Sequence, residues 1–208
     1  MTPRDDIALI ATLNDLLQLE HDALPAYGLA ILAMQDGGHR ERLEGFRAEH
    51  LRHMQELTGL IEAHGALPMA LPHIPTGMLK LGVQMAGLPG GDRAILLAFR
   101  ANEWQSQMKY ARLAEGDHAP EVARVLRRAA ADEAKHYAWA VEVLDGMGLG
   151  NDTTIGVANS SFAQFHGLMA ELLESAARNG IETMARFAHR GAAGWQHAAG
   201  WVPEAGRG

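Results

Sequence analysis

Four stretches of this chain repeat apolar residues at steps of three and four, the spacing that keeps one face of an α-helix toward a core. The first runs Leu13, Leu17, Glu20, Leu24, Tyr27, Ile31, and the second Leu43, Phe46, His50, His53, Leu57, Leu60. The third is Leu96, Phe99, Glu103, Ser106, Tyr110, Leu113, and the fourth Val122, Leu126, Ala129, Glu133, His136, Ala140, Val143. Gly37 with Gly38, Gly65, Gly116 and Gly146 close the four stretches, Pro120 opens the last, and Pro25 predicts a local bend in the first. No run of alternating β-branched residues competes with them. The pattern predicts an all-α fold.

The links between the helices differ in length. A few residues around Asp36 to Gly38 join the first pair, and Gly116 to Ala119 join the second; links that short make antiparallel neighbours. About 27 residues separate the second helix from the third, enough to travel the length of a ~26-residue helix, ~40 Å at 1.5 Å per residue. They include Pro68, Pro72, Pro75 and Pro89, with Thr76 to Ala86 predicted as a short helix inside the crossover. The expected topology is two helical hairpins joined by one long crossover, a four-helix bundle over residues 1–147. The two halves echo each other: Glu20 precedes Tyr27 by seven residues as Glu103 precedes Tyr110, and His50-x-x-His53 stands where the second hairpin has Glu133-x-x-His136. This reads as an internal duplication with pseudo-twofold symmetry.

Beyond Gly148 a Gly- and Asn-rich loop leads to a fifth stripe, Phe162, Phe165, Met169, Leu172 and Ala176, which continues through Ile181 and Met184 to Phe187 with a break at Gly180. Residues 148–190 are expected to form a loop and an additional C-terminal helix. The Gly- and Ala-rich residues 191–208, with Trp195 and Trp201, are expected to form a flexible tail.

Composition narrows the chemistry. With 208 residues, 48% hydrophobic and 21% charged, the chain suits one well-buried domain with an appendage. A net charge of −7 without a basic stripe argues against a nucleic-acid partner. The absence of Cys excludes disulfides, thiolate-held iron–sulfur clusters and thiol catalysis. No stretch approaches ~20 apolar residues, so no membrane span is expected. The first residues lack a secretory pattern, and a cytoplasmic location follows as the expectation.

The exceptions to the apolar stripes carry the chemistry. Glu20, His50 with His53, Glu103, and Glu133 with His136 sit at mid-helix on four separate core faces. Unpaired buried charges are costly, and four such interruptions at similar heights are hard to explain as packing. Divalent cations accept inward carboxylates and neutral imidazoles together, and side chains at i and i+3 reach one ion. The expected metal ligands are Glu20, His50, His53, Glu103, Glu133 and His136. The plain alternative is a buried hydrogen-bonded network without metal.

On Glu20, His53, Glu103, Glu133 and His136, together with the connectivity, residues 7–147 resemble the ferritin-like superfamily, which includes ferritins, rubrerythrins and related carboxylate-bridged di-iron proteins. The resemblance implies a pair of iron or manganese ions and oxidoreductase chemistry: iron oxidation, peroxide reduction or oxygen-dependent oxidation. The chain departs from the family at His50, where the second helix should offer Glu. Three carboxylates then face two divalent ions, and imidazole does not bridge as a carboxylate does. A weakened dimetal centre, a mononuclear one, or a site preferring zinc all follow from that substitution.

Neighbouring residues read more plainly. Glu49 lies ~100° around the helix from His50 and is expected at the solvated edge of the stripe. His21 and Asp22 are expected at the surface, Tyr27 and Tyr110 in the core with hydroxyls able to reach a ligand on a neighbouring helix, and His73 and His166 without ligand spacing. The competing function is a non-catalytic interaction protein whose metal is structural or absent. Its fifth stripe would dock on a partner or on a second subunit in a homodimer, although a helix that simply covers the bundle is the plainer reading of that stripe.

Overall fold

The computed structural model describes residues 3–73, 76–172 and 174–176. Helices α1 (Pro3–Ala33) and α2 (Gly37–Ala63) form the first hairpin, and α4 (Gly91–Ala114) and α5 (Pro120–Gly146) form the second. The crossover carries α3 (Thr76–Gly87) and a 3-10 turn at Leu88–Gly90. No strand occurs among the described residues, and α1 runs through Pro25, which lies exposed.

Side-chain pairs give the helix directions. Glu49–Lys135, Arg52–Asp132 and Glu56–Arg128 climb α2 while descending α5, and Tyr110 with Glu20 and Phe99 with Tyr27 do the same for α4 and α1. Both cross-hairpin neighbours are therefore antiparallel, which requires the crossover to return along the bundle. Asp36 caps α2 by accepting from the His39 backbone N–H at 2.8 Å. Asp92, in the first turn of α4, accepts from the backbone N–H groups of Gln35 and Asp36, tying the hairpin turn to the end of the crossover.

The core is divided. One apolar cluster gathers Leu13, Leu17, Leu57, Leu60, Val122 and Leu126; the other gathers Met34, Leu43, Phe46, Leu96, Phe99 and Leu144. On every bundle helix the ionisable residues of the stripe fall between the two, so a polar layer crosses the bundle at mid-height.

Two outer elements turn the expected polarity around. Helix α3 buries Gly77, Lys80, Gln84 and Gly87, while Met78 is 71% and Met85 54% exposed. Its glycines set the distance: a Cβ at Gly77 would fall 2.4 Å from Asp22 Oδ1, and one at Gly87 2.6 Å from the Ala94 carbonyl oxygen. The C-terminal helical segment, residues 154–172, begins at Thr153, whose hydroxyl accepts from the Gly156 backbone N–H. Its Phe165 and Leu172 are 64% and 65% exposed, while Ala163, His166, Gly167 and Ala170 face inward. The segment covers the bundle as expected, packing on α4, but it does so with its small and polar face and leaves the Phe165 and Leu172 side of the stripe outward. Gly167 lies so close to the Trp104 ring that a Cβ would stand 2.3 Å from it, which reserves that face for small residues. The continuation of the stripe to Phe187 and the tail 191–208 lie outside the described residues.

Candidate metal centre

Glu20 from α1, His50 and His53 from α2, Glu103 from α4, and Glu133 and His136 from α5 meet in the polar layer, none more than 2% exposed. They form two overlapping groups whose offered atoms lie within 4.8 Å of one another: Glu20, His50, His53 and Glu133, and His50, Glu103, Glu133 and His136. Glu133 and His50 belong to both. In the first group His50 Nδ1 is 2.6 Å from Glu20 Oε2 and 3.6 Å from Glu133 Oε1, and His53 Nδ1 is 3.4 Å and 3.5 Å from Glu20 and Glu133. In the second, His136 Nδ1 is 3.5 Å from Glu103 Oε2 and 4.0 Å from Glu133 Oε2.

The outer nitrogens of two imidazoles are held by carboxylates that precede the inward residue of the opposite motif. His136 Nε2 is 2.6 Å from Glu49 Oε2, and His53 Nε2 is 3.3 Å from Asp132 Oδ2. Each interaction fixes a ring so that Nδ1 faces inward, the arrangement that orients metal-binding histidines. The two carboxylates are themselves neutralised: Glu49 by Lys135 at 2.5 Å, Asp132 by Arg52 at 2.5 Å. Glu49 is therefore built into the site, not a solvated bystander. The tyrosines cross over in the same way. Tyr110 donates to Glu20, and the Tyr27 hydroxyl lies 3.5 Å from His136 Nδ1. Burial and then the adjacent carboxylates, Glu103 for Tyr27 and Glu20 for Tyr110, keep both phenols protonated well above their ordinary range.

Electrostatics binds the layer together. Burial alone would raise the Glu20 carboxyl, but His50 and His53 hold it well below the usual carboxylate range. Burial works against the protonated imidazoles, yet Glu133 and Glu20 push His50 up to about 9 and His53 up to about 10. The carboxylates thus create a strong demand for positive charge. Imidazolium meets it only in part, because His50 Nε2, His53 Nδ1, Glu103 Oε2 and both Glu133 oxygens are buried without a hydrogen-bond partner. Five orphaned donor atoms converging in one layer of oxygen and imidazole nitrogen fit divalent iron, manganese or zinc.

A third cluster shows the contrast. Asp15, His73 and Glu174 are equally close. There, however, His73 lies 2.8 Å from Asp22 Oδ2 and 3.2 Å from Asp15 Oδ1, while Lys109 Nζ stands 2.9 Å from Asp15 and bonds Glu174. Its charges are already paired, and it joins the crossover and C-terminal segment to α1 and α4 as an ion-pair latch.

A family model described as Rubrerythrin matches residues 95–194, which take in nearly all of α4, the whole of α5 and the C-terminal segment. The chain belongs to the ferritin-like superfamily. No curated protein and no solved structure matches it. The ferritin-like bundle explains the crossover, and the family match covers the hairpin that carries Glu103, Glu133 and His136. The first hairpin, where His50 departs from the family pattern, lies outside the match.

Several polar residues escaped the reading of the sequence. Asp22 and His73, expected at the surface or in a loop, are buried partners, and Lys80, Arg100 and Lys109 are buried cations. A signal existed for Glu49 and Asp132: each immediately precedes the first residue of an i, i+3 pair, at equivalent points of the duplicated motif.

Proposed function

We propose that the protein is a ferritin-like metalloprotein that binds two ions, iron or manganese, and reacts with dioxygen or peroxide. Glu20 and His53 would hold one ion and Glu103 and His136 the other, while Glu133 and His50, which belong to both groups, would serve either. One observation carries the reading: two buried ligand groups overlap in Glu133 and His50, with five of their atoms lacking a hydrogen-bond partner. A bound pair of redox-active ions supplies electrons to the oxidant. The protein's own groups position that chemistry: Glu49 and Asp132 fix the imidazoles, Tyr27 and Tyr110 steady the inner layer, and the apolar clusters on either side keep water out. Residues 1–147 constitute the metal-binding unit.

The experiment is metal content per chain in protein purified without chelator, with an optical spectrum before and after exposure to oxygen or peroxide. About two iron or manganese ions, with a spectral change, is the expected result on the two-ion pattern of the ferritin-like bundles. His50 favours one second reading. Glu20, Glu103 and Glu133 leave two divalent ions undercompensated, so a single structural zinc would satisfy the same layer. One zinc per chain with no response to oxidant would replace the redox reading, and no metal at all would leave a bundle whose exposed Phe165 and Leu172 face serves an interaction.

A further inference from the structure

The two outer elements of this fold are built inside out. Helix α3 turns Lys80 and Gln84 toward the bundle and Met78, Leu79 and Met85 toward the outside. The C-terminal segment does the same: Ala163, His166, Gly167 and Ala170 face inward, while Phe162, Phe165, Leu168 and Leu172 stand exposed. Either helix turned over would bury its large apolar side chains against the bundle, the arrangement that water favours. The inward faces are fixed instead by close approach at Gly77, Gly87 and Gly167, and by polar anchors such as Gln105 and Lys109 on Glu174.

The two outward faces lie on one side of the molecule. Helix α3 packs on α1 and α4, and the segment packs on α4 beside it, leaving α2 and α5 on the far side. A groove of about 470 Å³ joins them, lined by Met78, Leu79 and Val83 from α3, Ala94 and Leu97 from α4, and Phe162. From Thr76 to Gly91 the one charged residue is the buried Lys80, and from Thr153 to Ala170 there is no Asp, Glu, Lys or Arg. An exposed apolar face of this extent marks contact with a protein or with a membrane.

Chemistry separates those two. A protein interface is specified by a polar rim and by hydrogen bonds, about one per 100–200 Å², with Tyr, Trp and Arg as anchors. The described exposed residues of α3 are all apolar, and segment 154–172 exposes Thr154, Ser161 and Gln164 as its hydrogen-bonding side chains. No Tyr, Trp or Arg stands on either element. A lipid surface asks for apolar area and for cations, and for no register. The sequence past Ala176 supplies the cations: Arg178, Arg186, Arg190 and Arg207 against Glu182 and Glu204, in a chain whose net charge is −7. It also carries Trp195 and Trp201. Tryptophan and arginine are the residue types drawn to the headgroup level of a bilayer.

We propose that the face formed by α3 and the C-terminal segment docks on an anionic phospholipid surface. It lies in the plane of that surface with Met78, Met85, Phe165 and Leu168 toward the acyl chains, and the basic sequence beyond Ala176 adds attraction to the headgroups. The docking is peripheral and independent of the metal layer.

The test mixes full-length protein with sedimentable vesicles of phosphatidylcholine, or of phosphatidylcholine and phosphatidylglycerol in equal parts, and reads the bound fraction. Three paired variants accompany wild type: Met78→Gln with Met85→Gln, Phe165→Gln with Leu168→Gln, and Arg186→Gln with Arg190→Gln. Wild type is expected to bind the anionic vesicles at least about ten-fold more tightly than either apolar pair, since affinity scales with the apolar area buried. The arginine pair should lose the preference for anionic over neutral vesicles. Unchanged affinity in either apolar pair overturns the site. So does a wild type that stays in solution with both vesicle types; if light scattering then shows a dimer that the apolar pairs dissociate, the face belongs to a second copy. A second measurement leaves the rest of the face intact. The chain has no cysteine, so single substitutions Met85→Cys, Leu168→Cys and Leu51→Cys each place one environment-sensitive dye. Anionic vesicles should shift the emission to the blue at Met85 and Leu168 and leave it unchanged at Leu51, which is exposed on α2 across the bundle. Equal shifts at all three positions, or none at Met85 and Leu168, end the proposal.

Discussion

At the scale of single residues, the proposed centre separates groups that would touch an ion from groups that would aim them. Glu133 contributes to both ligand groups, so Glu133→Ala should abolish the second ion and weaken the first, read as metal per chain after dialysis. Glu49→Gln and Asp132→Asn remove only the carboxylate behind an imidazole, and each should lower metal affinity about 10- to 100-fold while leaving stoichiometry at saturation intact. Equal losses from Glu49→Gln and Glu133→Ala would mean that Glu49 itself is a ligand. His50 is the position where chain and family disagree. Changing it to Glu restores four carboxylates, which should tighten the second ion and favour the oxidised state. Without metal, the added buried charge beside Glu20 and Glu133 should cost a few kcal/mol. A melting temperature that falls and that iron does not restore would show His50 to be a core hydrogen-bonding residue. The burial of all six inward residues was legible because each interrupts an apolar stripe; Glu49 was read as a solvated edge and Asp132 passed over, since a charge beside a stripe looks like any other surface charge.

At the scale of elements, the bundle helices followed from spacing because each buries one apolar face. Leu43, Phe46, His50, His53, Leu57 and Leu60 are buried as the stripe requires. Helix α3 and the C-terminal segment defeated the same logic. Their inward faces are chosen by close approach at Gly77, Gly87 and Gly167, and by polar anchors. Arg100 on α4 is one such anchor, reaching Asn159, Asn151, Ser160 and the Gly156 carbonyl. The latch at His73 is another and is sensitive to pH. Burial opposes its protonation, but Asp15 and Asp22, helped by Glu174, push His73 up to about 9. Lys109, also in the cluster, has its own value raised by Glu174 and Asp15 against burial and keeps its charge across this range. A raised histidine stabilises the fold fully below its ordinary value of 6.5, and that contribution disappears as pH climbs through about 9. Chemical denaturation of metal-free wild type and His73→Gln should therefore show a difference on the order of 2 kcal/mol near pH 6 that shrinks toward zero above pH 9. A gap that does not change with pH would remove the charge from the latch. The comparison is needed because His50 and His53 titrate in the same range and contribute equally to both proteins.

At the scale of the whole molecule, neither hairpin completes a ligand group. The first offers Glu20, His50 and His53; the second offers Glu103, Glu133 and His136; each group draws on both. On the proposed function, bound metal would clamp hairpin to hairpin, and its removal by chelator should lower the melting temperature. Amide exchange should accelerate most around these six residues, with the apolar clusters at either end less affected. Uniform acceleration along the bundle would argue that the ions merely occupy a layer that protein contacts already hold. The duplicated arrangement has one more outcome. Because the crossover is long and every ligand group is split between the hairpins, the second hairpin of another chain can stand where the chain's own second hairpin stands, with the same ligands in the same places. Refolding at high concentration with metal present should then yield some intertwined dimers alongside monomers. Such dimers would carry the full metal complement per chain and separate only as slowly as the bundle unfolds.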